Sequence, residues 1–153
     1  MDFIRKTLPE QHYIYVDKEV PYGPEISDAM GAAFGEVFGF IGQNGITPLA
    51  MPMSVYMGMD PEILRFRGGV IVSAEDAARA SGAIKAATIP AGDAMHVVHV
   101  GDYGALGDTH KAMWDHMKDQ GINGTMPVWE IYIDDPGEVA QDKVRTEIYC
   151  AIG

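Results

Sequence analysis

Between Val128 and Ile133 the chain places a polar-tipped side chain at every second position, and the same period of two returns from Arg145 to Tyr149. In an extended strand, residues i and i+2 point to one face. Glu130 therefore shares a face with Tyr132, and Glu147 shares one with Tyr149, while Trp129, Ile131, Ile133, Ile148 and Ile152 fall on the opposite ones. Joined in one sheet, the two runs predict an apolar face packed on a core and a second face that offers carboxylates beside aromatic rings. Such a surface suits a flat organic cation.

The rest of the chain divides by the same criteria. Over 12–20, Tyr13 and Tyr15 alternate with Ile14 and Val16, which predicts a strand. From Ile26, the residues Met30, Ala33, Phe34, Val37, Phe38 and Ile41 recur at helical spacing, with Ser27 or Asp28 suited to start the helix and Gly42 or Gly45 to stop it. Strands over 52–57 and 64–72 follow, joined by a turn at Asp60-Pro61. The second half predicts a strand over 94–100, a helix from about 106 carrying Met113, Trp114 and Met117 and ending at Gly121, and strands over 128–133 and 144–152. The alanine-rich 73–90 segment links the halves, with a short helix expected over 74–80, and Ser73 followed by Asp76 makes a loose capping box.

The halves also echo each other. Gly45-Ile46 returns as Gly121-Ile122, and the run from Tyr56 to Asp60-Pro61 returns as Tyr132 to Asp135-Pro136, at nearly the same spacing. Tyr22-Gly23 precedes the first helix as Tyr103-Gly104 precedes the second. The common order of these short matches points to a tandem repeat. The expected organisation is one α+β domain over 1–153, with repeat one at about 10–72, a linker at about 73–90 and repeat two at about 91–153, each repeat running strand, strand, helix, strand, strand.

Composition bounds the function. A chain of 153 residues that is 47% hydrophobic and 22% charged can bury a core without disulfides or metal. The single Cys150, lying among strand residues, reads as a small buried hydrophobe. A net charge of −11, with eleven scattered Lys and Arg residues, argues against direct nucleic-acid binding. Neither a signal peptide nor a run of bilayer length is evident, so a cytoplasmic location and no membrane association are expected. His96 and His99 sit three apart in a strand and face opposite ways, and His110 and His116 are badly spaced for a shared metal on a helix, so no metal is expected. The glycines from Gly101 to Gly107 have the wrong spacing for a dinucleotide and no Walker loop is present, so no cofactor is expected. Ten methionines suit core filling or an adaptable ligand surface.

The segments His99 to Gly107, Trp129 to Pro136 and Arg145 to Tyr149 resemble the GyrI-like small-molecule-binding domains, the effector-binding domains of AraC-type and MerR-type multidrug regulators. The resemblance covers nearly the whole chain. It implies antiparallel sheets curved around a central ligand cleft with helices outside, in which a carboxylate at the bottom receives the charge of a lipophilic cation and aromatic rings stack on it. On matching positions, Glu130 and Glu147 are the candidate carboxylates and Tyr149, Tyr132 and Tyr103 the aromatic walls, with Tyr13, Tyr15 and Tyr56 as further members.

The expected role is sequestration or sensing of a hydrophobic cation. Family resemblance also suggests a hydrolase of strained, cyclopropane-bearing electrophiles with Glu147 or Glu130 as general base, and a DNA gyrase inhibitor acting by protein contact. A partner protein, whether a regulator or gyrase, stays open. The opposing structural account is that these glutamates merely pair with basic residues. An Arg67–Glu147 pair across the cleft would be its sign.

Overall fold

Two links of two residues each decide the architecture. In the computed structural model, which describes residues 1–153, the elements in chain order are β1 (Ile4–Leu8), β2 (Gln11–Pro21), α1 (Glu25–Asn44), β3 (Met53–Tyr56), β4 (Ile63–Val72), α2 (Ala74–Ala77), β5 (Lys85–Ile89), β6 (Gly92–Val100), α3 (Leu106–Asp119), β7 (Gly124–Tyr132) and β8 (Arg145–Ile152). Short 3-10 turns at Tyr103–Ala105 and Gln141–Lys143 precede α3 and β8. All eight strands form one antiparallel sheet in the order β1-β6-β8-β7-β3-β4-β2-β5. Only Pro9 and Glu10 join β1, at one end of that order, to β2, next to the other end, and only Pro90 and Ala91 join β5 to β6. Flat, six strand spacings would separate β1 from β2 by about 29 Å, whereas such a link spans about 10 Å. The sheet is therefore curled until its edges approach.

The inner face of the curl is its own core. Leu8 from one edge and Ile89 from the other pack into one cluster with Tyr13, Tyr15, Met53, Val55, Trp129 and Ile131. No helix covers this face, yet Trp129 is only 2% exposed. Both long helices lie on the outer face. There α1 packs Ala33, Val37 and Ile41 on Ile14, Val16, Phe66 and Val70, and α3 packs Met113 and Met117 on Val97, Val128 and Ile148. The approach of α1 to the sheet is close enough to require glycine at position 68, where a Cβ would lie 2.6 Å from that of Ala33.

Swapping each of β1 to β4 with the corresponding member of β5 to β8 reverses the strand order. The seam between the two sets is the β3–β7 pair, where Ser54 faces Glu130.

Most of the expected elements are present, with differences that have physical causes. The first helix begins at Glu25 rather than at Ser27 or Asp28, because Pro24 holds φ at −66° ahead of it and Glu25 and Asp28 place negative charge in its first turn. It ends where Gly45 adopts a left-handed φ of 62°, a conformation cheap only for glycine. Ser73 caps α2 by accepting from the Asp76 amide at 3.1 Å, but that helix stops at Ala77. The segment read as a linker holds β5, and β1 was not foreseen. No helix is long and apolar enough to cross a membrane.

One expectation is overturned. In the β7–β8 register Trp129 faces Tyr149, Glu130 faces Ile148 and Ile131 faces Glu147. Partners directly across a ladder share a face, so the Glu130–Tyr132 pair and the Glu147–Tyr149 pair lie on opposite sides of the sheet. They do not form one acidic, aromatic surface.

Candidate ligand-binding site

On the outer face, at the seam, α1 and α3 stand on either side of a buried carboxylate. The β3–β7 pairing sets Ser54 beside Glu130, and Tyr56 and Tyr132, two residues along their own strands, point to the same side. Both tyrosine hydroxyls donate to Glu130 Oε1, at 2.9 Å from Tyr56 and 2.8 Å from Tyr132. The Tyr132 hydroxyl also lies 3.0 Å from Ser54 Oγ. Glu130 Oε2 has a different partner, His110 Nε2 of α3, at 2.6 Å. Glu130 is 4% exposed.

Aromatic and thioether groups complete the surround. From α1, Phe34 meets the Tyr132 ring edge-on at 5.9 Å between centroids, and Met30 Sδ lies 3.8 Å from the Tyr132 hydroxyl. From the turn before α3, Tyr103 meets Tyr132 edge-on at 5.6 Å. Tyr103 is 40% exposed, and the His110 side chain is 22% exposed. These two reach solvent, while Glu130, Tyr132 and Ser54 are buried beneath them.

The electrostatics favour a fixed anion. Burial pushes the Glu130 carboxyl pKa up, but the His110 hydrogen bond and charge, with the hydrogen bonds from Tyr132 and Tyr56, more than offset it and hold the pKa below the usual carboxylate value. Burial and the charge of Glu130 push the Tyr56 phenol well above its ordinary value, and burial, Tyr56 and Glu130 do the same to Tyr132, so both remain donors. Tyr103 is also raised, by burial first and then by Asp135, Asp134 and Glu130.

The remaining candidates lie elsewhere. Tyr149 stacks flat on Trp129 inside the curl, with centroids 5.1 Å apart and planes 7° apart. Tyr13 and Tyr15 sit 5.3 Å apart on the same inner face, with the Arg67 guanidinium 4.6 Å over the Tyr15 ring and Arg67 Nη1 donating to the Tyr13 hydroxyl at 2.9 Å. The ionic partner of Arg67 is Asp17 at 3.8 Å, and Glu147 Oε1 lies 3.4 Å from His96 Nε2. The cross-cleft Arg67–Glu147 pair is thus not formed. Burial, and then Lys6, lower the pKa of His96 despite Glu147. An inner cavity of about 180 Å³ touches Trp129, Leu8, Ile89 and Ala94.

Of the eight residues proposed from sequence, four converge: Glu130, Tyr132, Tyr56 and Tyr103. Tyr13, Tyr15, Glu147 and Tyr149 belong to the inner face. Sequence reasoning weighed His110 only as a metal ligand and so missed its position beside Glu130. The signal was present, because His110, Met113 and Met117 fall at helical spacing on one face of α3. No cluster of His, Cys, Asp and Glu residues in metal-binding geometry is found.

The GyrI-like small molecule binding domain matches residues 1–152. Among solved structures, the chain resembles EcmrR in its DNA complex, with a TM-score of 0.76, 21% identity, and coverage of 99% of this chain and 57% of that one. It resembles SAV2435 bound to tetraphenylphosphonium, with a TM-score of 0.67, 13% identity and coverage of 100% and 94%. A hydrolase from Listeria innocua shares the fold at a TM-score of 0.67 and 17% identity, with coverage of 99% and 91%. No curated protein matches the chain. With a match to the domain over residues 1–152, the chain belongs to the GyrI-like small-molecule-binding domain family.

Proposed function

We propose that the domain binds a hydrophobic organic cation between α1 and α3, with Glu130 as the charge partner and Tyr132, Tyr103, Tyr56 and Phe34 as the aromatic walls. One observation carries this reading: Glu130 is buried among aromatic rings and yet held ionised. A buried anion is costly unless neutralised, so the site favours a guest that brings positive charge. A lipophilic cation also loses little hydration on entry and gains about 0.5–2 kcal/mol per aromatic face it meets. That SAV2435, a relative in fold, has been solved with tetraphenylphosphonium supports a cation of this size and shape.

The hydrolytic alternative asks Glu130 to take up a proton from water. A general base near neutral pH is served by a raised carboxyl pKa, and that of Glu130 is lowered, which favours a binding anion over a base.

The test is charge selectivity. Tetraphenylphosphonium and the neutral, similarly shaped triphenylphosphine oxide are titrated by calorimetry into the same protein. The reading expects the cation to bind at least about tenfold more tightly, equivalent to about 1.4 kcal/mol. Equal affinities would remove the carboxylate from the account.

A further inference from the structure

The Glu130 site already contains an imidazole in reach of its carboxylate. The two oxygens of Glu130 are held differently. Oε1 is fixed by two tyrosines that belong to the sheet itself, the half-buried Tyr56 on β3 and the buried Tyr132 on β7. Oε2 is held by one group, His110 Nε2, which comes from α3 and whose side chain is 22% exposed. The sheet partners are rooted on the paired strands β3 and β7, and Tyr132 is further packed by Phe34 and Tyr103. His110 can leave by rotating about its side-chain torsions toward solvent, while Thr109, Met113 and Met117 keep α3 docked.

Resting on the binding reading above, we infer that His110 is a specificity-determining residue of this site, a resident counter-ion that a ligand cation displaces from Glu130 Oε2. The His110 ring nitrogen at 2.6 Å and an incoming cation compete for one oxygen. When His110 carries its proton, the pair is neutral, and a ligand cation enters only if that proton or that side chain departs. Cation binding is then linked to proton release, and by reciprocity protonation weakens cation binding by the same factor. A neutral guest of equal shape has no such competitor. The site would thus select cations most strongly where His110 is uncharged and lose that preference as the pH falls.

The other groups gathered around the Glu130–His110 pair do not provide this linkage. From the sheet they are Glu130, whose carboxyl pKa is lowered, and Tyr56 and Tyr132, whose phenols are pushed up. From the turn before α3 comes Tyr103, raised as well by burial and by Asp135, Asp134 and Glu130. From α1 come Met30 and Phe34, which do not titrate. On α3 itself, Lys111 and Asp115 pair with each other at 2.8 Å.

The experiment counts protons in the wild-type protein. Tetraphenylphosphonium is titrated by calorimetry in two buffers of different ionisation enthalpy, at points from about pH 6 to about pH 8. Release of up to about one proton per cation, with affinity rising by as much as tenfold per pH unit in the acid range, is the expected result. Triphenylphosphine oxide should release none. In His110→Gln, which keeps a neutral donor beside Glu130, proton release should vanish and the cation affinity should become flat with pH. Cation binding that depends on Glu130 but releases no proton and keeps the same affinity and pH profile in His110→Gln overturns the counter-ion role and leaves the binding reading standing. Equal loss of both ligands in His110→Gln, with the pH profile unchanged, would assign His110 a structural part only. Absence of binding by wild type overturns the inference together with the reading beneath it.

Discussion

Replacing Tyr132 with Phe removes one oxygen and leaves the ring, so the change reads the polar floor of the site without opening a cavity. That hydroxyl is one of three donors to Glu130, at 2.8 Å, and lies 3.0 Å from Ser54 Oγ, all of it buried. A hydrogen bond to a charged acceptor contributes about 1.5–3 kcal/mol, and leaving Ser54 without a partner costs about 1 kcal/mol more. The expected loss is about 2.5–4 kcal/mol. For a domain of this size each kcal/mol moves Tm by about 2–4 °C, so Tyr132→Phe should melt roughly 5–15 °C lower by differential scanning calorimetry.

The variant also shifts the acid limb of stability. A carboxyl whose folded pKa lies below its unfolded value contributes stability that is present above the unfolded value and lost as the pH falls through the folded one. Glu130 is such a group. Removing one of its donors raises its folded pKa, so the acid-induced loss should begin at a higher pH in Tyr132→Phe than in the wild type. A Tm within about 1 °C of wild type, with an unchanged acid limb, would refute the claim that Glu130 is held by this network.

Four further outcomes follow from the same structure. Gly68→Val should lower stability by about 1–3 kcal/mol in urea denaturation, since its Cβ would come 2.6 Å from that of Ala33 and α1 would have to lift. Trp129→Ala should cost about 3–5 kcal/mol by the same assay, because the ring is buried and stacked on Tyr149 at the centre of the curl. Cys150, buried and with its thiol pushed up to about 11, should react with a disulfide reagent at neutral pH only at the rate of unfolding, as read by thiol release with and without urea. Tyr149, raised to about 12 by burial and then by Glu147, supplies stability that is present below the ordinary phenol value and lost as the pH rises toward about 12. Tyr149→Phe should therefore flatten the alkaline limb of a pH–Tm profile.

What could be read from the chain alone was whatever is local. The alternation of Tyr13 and Tyr15 with Ile14 and Val16 marks β2, the spacing of Ala33, Val37 and Ile41 marks α1, and Gly45 and Gly121 mark helix ends by adopting positive φ values of 62° and 69°. The strands that escaped, β1 and β5, are edge strands of five residues whose sequences, IRKTL and KAATI, carry charge and show no clean period. They owe their state to partners far along the chain, His96 facing Ile4 and Tyr13 facing Ala87.

The division of the site escaped for a related reason. Each glutamate-tyrosine pair has its own face fixed by the strand period, but which faces coincide depends on the register between β7 and β8. A slip of one residue there exchanges every side chain between core and surface. Turn geometry contributes to that register, here through Asp134, which accepts from Arg145 Nε at 2.9 Å, and the period within either strand does not show it. The pairing of Tyr56 with Tyr132 was legible from the internal echo, whereas their convergence on a single carboxylate needed the β3–β7 seam.

The central claim is that the carboxylate of Glu130, and not that of Glu147, receives the charge of a bound cation. Parallel titration of tetraphenylphosphonium into wild type, Glu130→Gln and Glu147→Gln tests it most directly, with melting temperatures confirming that each variant is folded. The account predicts that Glu130→Gln loses about 1–3 kcal/mol of affinity, roughly 5- to 150-fold, while Glu147→Gln, altered on the opposite face of the sheet, binds as wild type does. Loss confined to Glu147→Gln would contradict it and place the ligand inside the curl, against Tyr149 and Trp129.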